Sequence, residues 1–144
     1  MQLYKTLALR TAQLEKIYAE LGGRYSFWER LKRNGIGSPM LFYQDGTAQL
    51  DQLQSLAPDE IRINFELLKA GILLRIAERT NSYFIPIAKA EIATLQLVKE
   101  PQKMYLQLTT ISKQVFTFWG NVDQYYGWQV FIEHSFLADF IERN

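Results

Sequence analysis

Ile61-Arg62-Ile63-Asn64-Phe65-Glu66-Leu67 alternates apolar and polar residues without a break, and Ile72-Leu73-Leu74-Arg75-Ile76 resumes the period after Ala70-Gly71. A strict period of two puts Ile61, Ile63, Phe65 and Leu67 on one face of a strand and Arg62, Asn64 and Glu66 on the other. Such half-buried strands belong to antiparallel sheets. Short polar turns keep the pattern going. Thr80-Asn81-Ser82 is one, and beyond it Tyr83–Ile87, Ile92–Val98, Met104–Thr109 and Gln114–Trp119 complete a meander of about six strands. Pro86 assigns its strand to an edge or a strand end, because proline donates nothing to the ladder. Met40-Leu41-Phe42-Tyr43 before Asp45-Gly46 reads as one further strand entering a tight turn, and a helical turn fits Gln49–Gln54.

The flanks change period. Leu14, Ile17, Tyr18 and Leu21 recur at helical spacing, and Gly22-Gly23 ends that helix. Ser26-Phe27-Trp28-Glu29 is a capping-box pattern that starts a second short helix, closing in Arg30, Lys32 and Arg33 before Asn34-Gly35. After the sheet, Asn121 with Gln124 caps a single helix over 121–144. Its stripe of Trp128, Phe131, Ile132, Phe136 and Phe140 demands burial against the sheet. The expected class is therefore α+β in a single domain. Residues 1–57 form a helical N-terminal extension, and 58–144 form the sheet and its closing helix.

Composition sets outer bounds. The 144 residues are 48% hydrophobic and 22% charged, a globular profile, and the net charge of +1 favours no particular partner. Residues 1–38 hold seven basic and three acidic groups, against nine and twelve in 39–144. That asymmetry is well short of a dedicated nucleic-acid binder, so nucleic acid is disfavoured as a partner. With no cysteine, disulfides and thiolate chemistry drop out. Lys5 interrupts the N-terminal apolar stretch, and no apolar run approaches the ~18 residues of a membrane span. A cytoplasmic protein without a membrane span is the expectation.

Catalytic and metal chemistry finds little to stand on. His134 is the only histidine; Ser135 and Asp139, at i+1 and i+5 on a helix, do not converge on it. One imidazole cannot build an ordinary zinc site. Asp45, Asp51, Asp59, Glu60, Glu66, Glu78 and Glu91 show no spacing that marks an acid–base pair. Gly35-Ile36-Gly37 lacks the third glycine and the preceding strand of a dinucleotide fingerprint. No catalytic residue, cofactor or metal is assigned, and a non-enzymatic binding module is expected. Its candidate partner surface combines Arg24, Phe27, Trp28, Arg30 and Arg33, where cations alternate with aromatics, with Trp119, Tyr125 and Tyr126 at the junction of last strand and helix. A protein partner or a second copy of the chain is the expected occupant.

Three stretches carry a family resemblance. Asp59-Glu60-Ile61 opens a strand, Tyr83-Phe84-Ile85-Pro86-Ile87 is followed by Glu91-Ile92, and Phe116-Thr117-Phe118 runs almost directly into a helix bearing Trp128. In these, residues 58–144 resemble the bacterial pleckstrin-homology-like domains, relatives of the PH and GRAM folds. The resemblance implies a bent antiparallel barrel of seven strands with a C-terminal helix plugging one end. Six strands are counted here, seven if Met40–Tyr43 joins. Phosphoinositide-binding members carry a basic cluster at the first hairpin. Only Lys69 and Arg75 stand there, so lipid-headgroup binding is not carried over. The helix-grip fold of START-like proteins is the alternative. It would enclose a cavity for a small apolar ligand, lined by the Trp128, Ile132 and Phe136 stripe.

Overall fold

The computed structural model describes residues 1–6, 9–26, 29, 37–56, 60–79 and 81–142. Eight strands form one antiparallel sheet: β1 (Tyr4–Lys5), β2 (Leu41–Asp45), β3 (Arg62–Leu68), β4 (Gly71–Glu78), β5 (Asn81–Ala88), β6 (Ile92–Lys99), β7 (Lys103–Thr110) and β8 (Val115–Asn121). Their order is β1-β5-β4-β3-β2-β8-β7-β6. Helix α1 spans Thr11–Glu20, α2 Ala48–Leu56 and α3 Tyr125–Glu133. No helix among the described residues is long and apolar enough to cross a membrane.

The alternation of β3 holds. Ile63, Phe65 and Leu67 enter the core, opposite Ile76, Leu74 and Ile72 of β4. The sheet curls so that inner side chains from both of its halves share one cluster. Phe65 meets Phe118 at 5.9 Å and Trp128 at 5.0 Å between ring centroids, both edge-on. Leu50 of α2 is fully buried in the same cluster and covers the end where β2 stops. Trp128 of α3, also fully buried, covers the opposite end, where β8 stops.

Helix α1 lies outside the curl. Ile17, Tyr18 and Leu21 pack on Leu68, Leu73 and Phe84, the outward side chains of β3, β4 and β5. Gly22 and Gly23 adopt φ of +85° and +88°, and their amides close the helix on Ala19 O and Tyr18 O at 3.1 and 2.8 Å. Leu21 O and Gly23 O then accept from the Ala70 and Lys69 amides of the β3–β4 turn, at 2.7 and 3.0 Å. A Cβ on Gly22 would come within 2.7 Å of the Ala70 Cβ, so glycine is needed there. The Ser26–Glu29 capping box is formed in both directions, each bond 3.2 Å. The body of the second short helix falls outside the described residues.

Three expectations are corrected. The strands number eight, because Tyr4–Lys5 adds a short rung to β5 and the Met40–Tyr43 strand takes part as β2. Residues 1–57 thus supply two strands as well as helices. The helical turn expected at Gln49–Gln54 is longer, a nine-residue helix, α2. The helix expected over 121–144 is divided. Asn121 Oδ1 accepts from the Asp123 amide and caps a 3₁₀ turn over Val122–Gln124, which leads into α3. After Glu133 the chain breaks at Ser135, whose hydroxyl oxygen accepts from the Leu137 amide and starts a 3₁₀ turn over Phe136–Phe140. The break lets Leu137 reach full burial and carries the chain onto β6.

Candidate functional site

The expected partner residues do not form one surface. Arg24 is exposed, its guanidinium 4.5 Å above the Tyr18 ring beside α1. Phe27, Trp28, Arg30 and Arg33 lie outside the described residues. Trp119 points to the outer face of the sheet, where it pairs with Phe42 at 4.9 Å and sits beneath Lys103 Nζ at 4.8 Å. Tyr125 belongs elsewhere: it packs against the core under Lys99 Nζ at 5.4 Å. Tyr126 is 74% exposed. The junction aromatics therefore diverge. Successive strand residues face opposite ways, so buried Phe118 sends Trp119 outward.

What the fold does assemble is a groove between β6 and α3. β6 is the last strand of the sheet and has a neighbouring strand, β7, on one side. On its other side Ile141 forms an isolated parallel bridge with Leu95, and the Glu142 amide donates to Leu95 O at 2.7 Å. Leu95 thus turns its backbone groups to the open edge. By the same alternation Leu97 and Lys99 turn theirs there too, while Gln96 and Val98 face β7. Beyond Glu142, no described residue pairs with that stretch of edge. Beside it opens a cleft of about 510 Å³ whose apolar lining is Leu97, Tyr125, Ile132, Ala138 and Ile141. Glu133 and Glu142 add negative charge, and Gln96 and Gln129 add amides.

Each wall has a local cause. Ile132 is buried on the core-facing side of α3 and closes the floor. The Ser135 break lays the Phe136–Phe140 turn alongside β6, which brings Ala138 and Ile141 to the cleft. The unpaired edge itself follows from the strand order.

Elsewhere, Tyr43, Glu66 and Arg75 are engaged in holding the fold. Tyr43 donates its phenolic hydrogen to Asp51 Oδ1 at 2.6 Å and accepts from the Thr47 amide at 2.9 Å, tying α2 to β2. Burial, reinforced by the Asp51 carboxylate, pushes the Tyr43 phenol well above the ordinary tyrosine range. Glu66 Oε1 accepts from Arg75 Nη2 at 2.8 Å and Nε at 3.1 Å, and Arg75 also reaches the Tyr18 hydroxyl at 3.3 Å. Burial alone would lower the Arg75 guanidinium, but Glu66 outweighs it and the net shift is upward. His134 stands exposed at the C-terminus of α3. Among the described residues no three His, Cys, Asp or Glu side chains are grouped to hold a metal.

Compared with protein-family models, with curated proteins and with solved structures, the chain gives no match.

Sequence reasoning missed the groove. Whether a strand is an edge is a property of strand order, and nothing within Ile92–Lys99 encodes it. The available signal was Ser135 amid the aromatic stripe, a residue that favours caps and turns over helix interiors.

Proposed function

We propose that this protein is a non-enzymatic interaction module on a PH-like barrel, and that it takes an extended polypeptide segment along the β6 edge. Support for the architecture comes from the seven consecutive strands β2–β8, followed at once by a helix whose tryptophan plugs one end. The first connection of that meander is 46–61, which carries Asp51, Asp59 and Glu60 and no lysine or arginine. At the next turn Lys69 pairs with Glu29 and Arg75 with Glu66. These two connections therefore offer phosphoinositide headgroups no cationic cradle. The core between α2 and α3 is occupied by Tyr43, Phe65, Phe116, Phe118 and Trp128. That filling favours surface binding over the helix-grip alternative, as does a closing helix of nine residues.

The observation that carries the partner class is the seating of Ile141–Glu142 on Leu95. A short stretch of backbone already lies against this edge, which supports its taking an extended segment. Strand addition draws affinity from main-chain hydrogen bonds and specificity from pockets for alternate side chains. Here the outward backbone of Leu97 and Lys99 supplies the bonds, and the apolar floor supplies the pocket. The partner is an extended segment with apolar side chains at alternate positions and a cation placed against Glu133.

Selection of short linear peptides from a displayed library tests this. Binders enriched in alternating apolar residues with a Lys or Arg, mapping by amide shift to β6 and α3, are expected. Failure to select any binder, or binders mapping to the Phe42–Trp119 face, would overturn it.

A further inference from the structure

Resting on the reading that the groove takes an extended segment, we infer that this segment is the C-terminal end of a partner chain. It runs parallel to β6, sets its terminal carboxylate against Lys99, and carries a lysine or arginine a few residues earlier against Glu133 and Glu142. Charge divides the groove in this way. Lys99 stands exposed at one end, its Nζ 5.4 Å from the centroid of the Tyr125 ring. Glu142 stands exposed at the other, where its amide is bonded to Leu95. Glu133, also exposed, lines the cleft two helical turns beyond Tyr125, roughly 12 Å along α3. Among the described residues none of these three charges has an ion-pair partner. An extended ligand that complements them is anionic beside Lys99 and cationic beside the two glutamates.

The edge also has an end. Leu97 and Lys99 turn their backbone outward, and the next outward position is Pro101, which has no amide to offer. Glu100 is already committed to the turn, its amide donating to Lys103 O at 2.9 Å. A segment on this edge finds no further amide past Lys99, and the groove's cation stands at that same point. A C-terminus meets both conditions, because its last group is a carboxylate and no residue follows it. Entering beside Glu142 and finishing at Lys99 gives the segment the direction of β6.

The probe is the strongest binder from a library of random segments displayed at the free C-terminus of their carrier, synthesised as the free acid and as the C-terminal amide. The intact protein should bind the acid roughly fivefold more tightly than the amide, the size of one partly exposed charge pair. Lys99→Gln should erase that difference and Lys99→Arg should preserve it, and at an exposed position neither change disturbs packing. The acid should shift the amides of Leu97 and Lys99. Equal binding of acid and amide at β6 and α3, or a preference for the acid that survives Lys99→Gln, overturns the terminal carboxylate and leaves the groove standing. Failure to obtain any binder at β6 and α3, from this library or from one of internal segments, overturns the groove and the inference with it.

Discussion

Across 2.7 Å the backbone N–H of Glu142 donates to the carbonyl oxygen of Leu95, and through that bond the last described turn of the chain is laid against the open edge of the sheet. The same relationship fixes the orientation of the whole edge. With Leu95 turned outward, the backbone groups of Leu97 and Lys99 must be outward as well.

Glu133 gives the groove a sign. Replacing it with lysine should reverse the preference among selected peptides, weakening those with a cation by roughly 3- to 10-fold, about 1 kcal/mol, in keeping with a partly exposed charge pair. Isothermal titration with one cationic peptide and its glutamate-substituted twin would measure this. Equal weakening of both twins would mean that Glu133 contributes shape and not charge.

Trp128 is fully buried, and its indole Nε1 finds no hydrogen-bond partner among the described residues. Trp128→Phe should therefore cost only about 1–2 kcal/mol, a packing loss without a broken hydrogen bond, whereas Trp128→Ala should cost about 3–5 kcal/mol. Urea unfolding distinguishes them. Equal costs for the two would show that the indole nitrogen is bonded in solution.

The Tyr43 hydroxyl links Asp51 and the Thr47 amide. Tyr43→Phe should destabilise by about 1–2 kcal/mol at neutral pH, because it leaves the part-buried Thr47 amide without its acceptor. The pH dependence has a definite sign. A phenol whose proton is held more tightly when folded stabilises the protein fully below the unfolded tyrosine value near ~10, and that contribution is lost as pH rises above it. The parent should lose stability above about pH 10 more steeply than the phenylalanine variant. Parallel alkaline limbs would refute the role given to Tyr43.

Beneath α1, Arg75 donates through both Nε and Nη2 to one oxygen of Glu66, which is only 13% exposed and whose Oε2 has no hydrogen-bond partner among the described residues. Arg75→Met should cost about 2–4 kcal/mol by stranding the carboxylate, and adding Glu66→Leu should recover most of the loss. A double variant no more stable than the single would argue that the pair's value lies in its contact with Tyr18.

The parts legible in the sequence are those fixed by local periodicity. The β3 and β4 alternation, the Gly22-Gly23 stop and the Ser26–Glu29 capping box each depend on neighbours within a few residues. What local pattern hid was decided across the chain. The two-residue β1 has too few residues to show a period and exists because Phe84 and Tyr83 on β5 offer an edge. The aromatic stripe of 125–140 satisfies a continuous helix on paper, but burial of Leu137 and the cap from Ser135 bend it onto β6. Trp119 and Tyr125 are six positions apart, yet strand alternation and the turn into α3 send them to different faces. The candidate groove was illegible for the same reason, since it consists of strand order and a helix break.

Hydrogen exchange at single-residue resolution, with and without a selected peptide bound, addresses the central claim most directly. The account predicts an alternating footprint: the amides of Leu97 and Lys99 gain protection on binding, while those of Gln96 and Val98, already paired with β7, change little. A footprint without that alternation, or one centred on Phe42 and Trp119, would contradict strand addition at β6.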